Sequence, residues 1–150
     1  MHFCPQHVCD KRYLPCAYKA DTLTRTVDGG GYGQNIAAGI EAANISYIIS
    51  DLFYNSEAPA FKDLYGQAQP SYANFGAWGH FSQIIWKGTT RIGCATTSCI
   101  NGLKGVGANV PKHFTVCNYK SPGNYGGQYA QNISRPLGKP TAHWDAWMST

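Results

Sequence analysis

A chain of 150 residues, 43% of them apolar, has enough material for one domain with a real core and too little for two. Its net charge of +4 is modest, and the basic residues scatter between Lys11 and Lys139 without a run that could follow a phosphate backbone, which argues against nucleic acid as a partner. The longest apolar candidate, the broken "ISYIISDLF", falls short of the ~20 residues a membrane-spanning helix needs, so no transmembrane segment is expected.

The first residues hold Cys4, Pro5, Cys9 and Pro15, a composition that cannot form a long helix. No signal peptide is readable, and Met1 directly precedes this Cys-rich segment, so a mature form behind an added methionine is expected. Six cysteines, Cys4, Cys9, Cys16, Cys94, Cys99 and Cys117, make an even count with no C-x-x-C pair suited to zinc. Disulfides are the better reading. The sequons at Asn44 and Asn132 agree with an oxidising, extracellular home, although such triplets also arise by chance.

From Asp10 to Gly33 the sequence is polar and glycine-rich, ending in "DGGGYG", and reads as a loop. Ile45, Ile48, Ile49, Leu52 and Phe53 then recur at spacings of three and four, the stripe of an amphipathic helix, with Asn44 placed to cap it and Pro59 to end it. In "FKDLYGQAQPSYANFGAWG", Gly66, Pro70 and Gly76 prevent a long helix, while the aromatic residues supply apolar surface. This reads as an aromatic loop. His80 to Trp86 fits a short helix or a strand, and "RIGCATT" and "HFTVCNY" alternate as strands that each carry a cysteine. After Gly123 a tail rich in Gly, Pro and Asn is expected to wrap the surface.

Two stretches carry a resemblance. "GHFSQIIWKGT", Gly79 to Thr89, and "FTVCNYKSPGNY", Phe114 to Tyr125, resemble the two signatures of the CAP family: cysteine-rich secretory proteins, antigen 5 and pathogenesis-related class 1 proteins, the fungal secreted branch above all. The first stretch fits at every defined position. The second departs at Thr115, where an apolar residue is usual, and at Ser121, where proline is usual. The resemblance runs from about Cys16 to Gly127 and implies an α+β fold, a three-layer αβα sandwich with an altered N-terminal region. Residues 1–150 are then a single CAP domain, with 1–15 an atypical N-terminal segment and 128–150 a C-terminal tail. It also implies the pairings Cys16–Cys94 and Cys99–Cys117, leaving Cys4 and Cys9 to close a small loop.

Members of the family carry a cleft of two histidines and two acids that can hold a divalent metal. The matching positions here are His80 and Glu57, together with Ala20 for the other histidine and Gln34 for the other acid, so half of that cleft is missing. Ala20 offers no lone pair, and a neutral Gln34 can hydrogen-bond an imidazole but cannot offset a cation's charge. No metal and no cofactor are expected. A structural His80, hydrogen-bonded to Glu57 and packed between Trp78 and Phe81, ranks above a ligand role. Catalysis is not expected either: nothing aims Ser82 at His80 as a nucleophile, and no paired carboxylates remain.

Sterol-binding relatives use an aromatic loop at the place occupied here by residues 61–78, which makes Phe61, Tyr65, Tyr72, Phe75 and Trp78 candidate walls for a flat apolar ligand. Rings filling a core explain the same residues at least as well. The leading expectation is a secreted, monomeric, non-enzymatic CAP protein binding a sterol or other small lipid. A secreted effector-like ligand for a host or cell-wall component comes second, and a metal-dependent hydrolase last.

Overall fold

The alternating segments fold as read. In the computed structural model, which describes residues 31–99, 101–103 and 106–143, "RIGCATT" and "HFTVCNY" form strands β2 (Arg91–Ser98) and β3 (His113–Lys120). A further strand, β1 (Gly33–Ala38), precedes them, and the three make an antiparallel sheet in the order β1-β3-β2. Gly33 stands opposite Tyr119 and Ala38 opposite Phe114, while Arg91 faces Lys120 and Ser98 faces His113. The chain is α+β. Residues 10–30 of the expected loop, with Ala20, Cys4, Cys9 and Cys16, lie outside the described residues, and its last residue, Gly33, already belongs to β1.

Residues on one face of the sheet meet the helical segments. Side chains alternate across a strand, so Asn35 and Ala37 of β1 share a buried face with Thr115, Cys117 and Tyr119 of β3. Ala37 packs there with Ile48 and Phe53. A larger cluster of Phe61, Trp78, Phe81, Trp86, Tyr129 and Ile133 lies beside it.

The expected amphipathic helix exists, but its winding changes along its length. A 3-10 turn (Ala42–Asn44) leads into one α turn, α1 (Ile45–Tyr47), and then into a π segment (Ile48–Asn55). The Ser56 N–H reaches Asp51 O at 2.9 Å, a five-residue step. That winding suits the sequence, because the buried residues Ile48 and Phe53 are themselves five apart. Asn44 does not cap this helix: it already lies inside the 3-10 turn, and its side chain makes no cap hydrogen bond. Nor does Pro59 end it. The winding stops at Asn55, and Pro59 opens the following 3-10 segment (Ala58–Leu64), where a missing N–H costs nothing.

The ambiguous segment at His80 is a helix, α2 (Gly79–Ile84). Gly79 begins it because the Phe75 ring lies so close that a Cβ there would fall 2.8 Å from it. The tail does more than wrap the surface. Its short helix α3 (Tyr129–Asn132) carries the buried Tyr129, and Ile133 follows it into the core. Farther on, Asn55 Nδ2 donates to Ala142 O at 2.9 Å, and Asp51 Oδ1 pairs with His143 Nδ1 at 2.8 Å, which lays the tail along the π segment.

The disulfides differ from the pairing implied by the resemblance. Cys94 is bonded to Cys117, so neither Cys16–Cys94 nor Cys99–Cys117 forms. The register is the reason: Cys94 and Cys117 are directly opposite on β2 and β3, with Cα atoms 4.0 Å apart, whereas Cys99 lies past the end of β2. Cys99 is in a disulfide as well. Replacing both Cys94 and Cys117 with serine is expected to cost about 3 kcal/mol in urea unfolding, from the chain entropy restored when a loop spanning 23 positions opens. A cost near zero would mean that the strand pairing alone holds these residues together.

Candidate functional site: a histidine–glutamate centre beside an aromatic loop

Glu57 follows the π segment, and its carboxylate caps α2 from a distance. Oε2 accepts the backbone N–H groups of His80 at 3.0 Å and Phe81 at 2.9 Å, while Oε1 accepts the His80 Nδ1–H at 2.6 Å. The first N–H groups of a helix have no partner within it, and a negative charge there also complements the helix dipole. This explains why a six-residue helix begins at Gly79. A carboxylate accepts only, so Nδ1 is the donor of this pair, and in a neutral imidazole Nε2 then holds the free lone pair.

His80 is half-buried, but its neighbours differ from those expected. Trp78 and Phe81 turn into the core, and the imidazole instead stacks on Phe53, with ring centroids 4.6 Å apart and planes 9° from parallel. Asn35 Nδ2 holds the same turn from the sheet, donating to His80 O and to the Tyr119 hydroxyl oxygen, each at 3.1 Å. Burial pushes the Tyr119 hydroxyl well above the ordinary tyrosine value, with the Asn35 hydrogen bond opposing it. The phenol therefore stays neutral.

Gln34 is not drawn to the imidazole. It sits on the other face of β1 from Asn35, and its Nε2 donates to Asn118 Oδ1 at 2.9 Å. Glu57 occupies Nδ1, so among the described residues the centre offers a metal only the imidazole Nε2, short of the three or four ligands zinc recruits. Among the described residues no group of three His, Cys, Asp or Glu side chains converges. The described donors do not fit a divalent ion.

Ser82 is likewise engaged away from His80. Its buried hydroxyl bonds Asn124 Oδ1 at 2.6 Å, and Asn124 Nδ2 donates to Gly79 O at 2.9 Å. Gln83 Oε1 accepts Gly123 N–H at 2.9 Å, and Gln83 Nε2 donates to Thr89 Oγ1 at 3.2 Å. The two signature stretches thus clasp each other through the buried Gln83 and Ser82 and the partly buried Asn124. Sequence reasoning missed Asn35, Gln83 and Asn124. A signal was available in their positions within the signature stretches or beside Gln34, but polar residues carry no periodicity to mark them as buried.

The aromatic loop divides by depth. Phe61 and Trp78, each 1% exposed, belong to the core, whereas Tyr65 and Phe75 are half-buried and Tyr72 is 44% exposed. The Tyr72 ring lies nearly parallel to Trp78 at 6.2 Å and meets Phe75 edge-on at 5.5 Å. Burial raises the Tyr65 hydroxyl above its ordinary value, Tyr54 adds to this, and Arg135 opposes it. The sequons also differ: Asn132 bridges Gly88 N–H and Gln128 O, while the Asn44 side chain makes no cap hydrogen bond.

Comparison with known proteins identifies the family. Residues 12–119 match the model of the cysteine-rich secretory protein family, CAP, and the chain belongs to that family. It is 46% identical over 125 residues to a probable pathogenesis-related protein of Arthroderma benhamiae, covering 83% of this chain and 38% of that protein. It is 32% identical over 105 residues to protein PRY2 of Saccharomyces cerevisiae, covering 70% and 26%. With the secreted protein RBT4 of Candida albicans it shares 30% identity over 121 residues, covering 72% and 28%. The chain therefore spans well under half the length of these relatives. No solved structure matches it significantly. Among the described residues no helix is long and apolar enough to cross a membrane.

Proposed function

We propose that this chain is a secreted, non-enzymatic CAP domain, built as an αβα sandwich, that binds a sterol or similar small lipid through Tyr65, Tyr72 and Phe75. Phe61 and Trp78 act as the rigid backing for those rings. One observation carries the reading: Tyr72 stays 44% exposed although its ring lies over the buried Trp78, so an aromatic ring is held in place and left partly open. A fixed aromatic wall pays little ordering entropy when a flat ligand settles on it. The fungal secreted relatives support an extracellular setting.

Titration of the purified protein with a fluorescent sterol tests this. Saturable binding is expected, falling about tenfold or more when Tyr72 and Phe75 are both replaced by alanine, since each ring removes more than the 1.4 kcal/mol that a decade of affinity represents. Equal binding by the folded double variant, or none by the parent protein, would remove the proposal.

A further inference from the structure

At one end of the sheet, Arg91 on β2 stands directly opposite Lys120 on β3. Directly opposed residues share a face with their Cβ atoms about 5 Å apart, and like charges placed that way repel. Neither cation has an ion-pair partner among the described residues. The described acids are engaged elsewhere or distant in sequence: Glu57 holds His80, Asp51 holds His143, Glu41 faces His113, and Asp63 lies in the Ala58–Leu64 segment.

The same face brings donors beside the two charges. Asn118 precedes Lys120 by two positions on β3, so it points the same way, and it faces Gln34 across the β1 pairing. The Gln34–Asn118 hydrogen bond occupies the Asn118 amide oxygen, which leaves the Asn118 Nδ2 hydrogens to donate outward. Lys120 Nζ lies 5.4 Å from the centre of the Tyr32 ring, and its carbonyl accepts Thr90 N–H at 2.8 Å, so both ends of the residue are held. No strand residue on this face, from Gln34 to Ala38, Arg91 to Thr97 or Phe114 to Lys120, is acidic.

We propose that Arg91, Lys120 and Asn118 form a site for a phosphate monoester. The two cations match its two negative charges, and the guanidinium, the ammonium and the amide N–H supply donors from neighbouring strands. The site does not depend on lipid binding by the aromatic loop.

The test titrates the whole protein with glycerol 3-phosphate near pH 7.5, where the ester is a dianion, at constant ionic strength, and follows the amide NMR signals of Arg91, Asn118 and Lys120. Saturable shifts are expected, with acetate at least about tenfold weaker because it brings a single charge. The Arg91→Gln, Lys120→Gln double variant should bind the ester at least about tenfold more weakly, yet melt close to the parent without ligand, since the relieved repulsion offsets the lost contact with the Tyr32 ring. Phosphatidylcholine vesicles with and without phosphatidic acid locate the phosphate. Retention only with phosphatidic acid, lost in the double variant, assigns a lipid headgroup; retention on neither, with the ester still bound, assigns a soluble ligand. Unchanged ester binding in the folded double variant, or binding no tighter than acetate, overturns the site.

Discussion

Replacing Glu57 with alanine is expected to lower unfolding stability by about 3 to 5 kcal/mol, one of the largest single-site effects outside the core. The change strips an acceptor from the N–H groups of His80 and Phe81 and from the His80 ring N–H, and nearby water cannot easily replace it because Glu57 is only 9% exposed. His80→Ala should cost less. It removes the Phe53 stacking and one hydrogen bond but leaves the carboxylate with its two backbone donors. Urea unfolding of both variants measures the difference. A Glu57→Ala cost no greater than that of His80→Ala would mean that the carboxylate does not organise the start of α2.

Trp78→Ala is expected to cost a further-ranging 3 to 5 kcal/mol, about the usual penalty for emptying a large aromatic site. Trp78 is 1% exposed and meets Phe61 at 5.4 Å, Phe75 at 4.9 Å and Tyr129 at 5.8 Å, so removing it opens a cavity shared by three rings. Tyr72→Ala, on the exposed side of the same stack, should cost about 1 kcal/mol or less. This contrast separates core from surface within a loop whose sequence is uniformly aromatic. Comparable melting losses for the two variants would place Tyr72 in the core and remove the reason to expect a ligand there.

The strands at Arg91–Ser98 and His113–Lys120 were legible because their residues alternate, and the family was legible in the stretches around His80 and Cys117. Strand β1 was not, since "GQNIAA" buries a glycine, an asparagine and an alanine, and no hydrophobic period marks it. Asn35 tolerates that burial only through partners far along the chain, His80 and Tyr119. The Glu57–His80 pair was foreseen, whereas the stacking of His80 on Phe53 depends on the π winding, which places Phe53 where a regular α-helix would not. Register decided the Cys94–Cys117 bond, and register cannot be read from cysteine spacing. Composition equally could not divide the aromatic loop. Phe61 and Tyr72 are both large and apolar, and only their packing separates a buried ring from an exposed one.

The central claim is that ligand binding belongs to the aromatic loop and that the Glu57–His80 pair serves to hold α2. Parallel sterol titrations of the Tyr72→Ala and His80→Ala proteins, each first checked for a folded melting transition, test it most directly. The expected result is weakened binding in Tyr72→Ala with His80→Ala close to the parent protein. Binding lost in His80→Ala and retained in Tyr72→Ala would contradict the account.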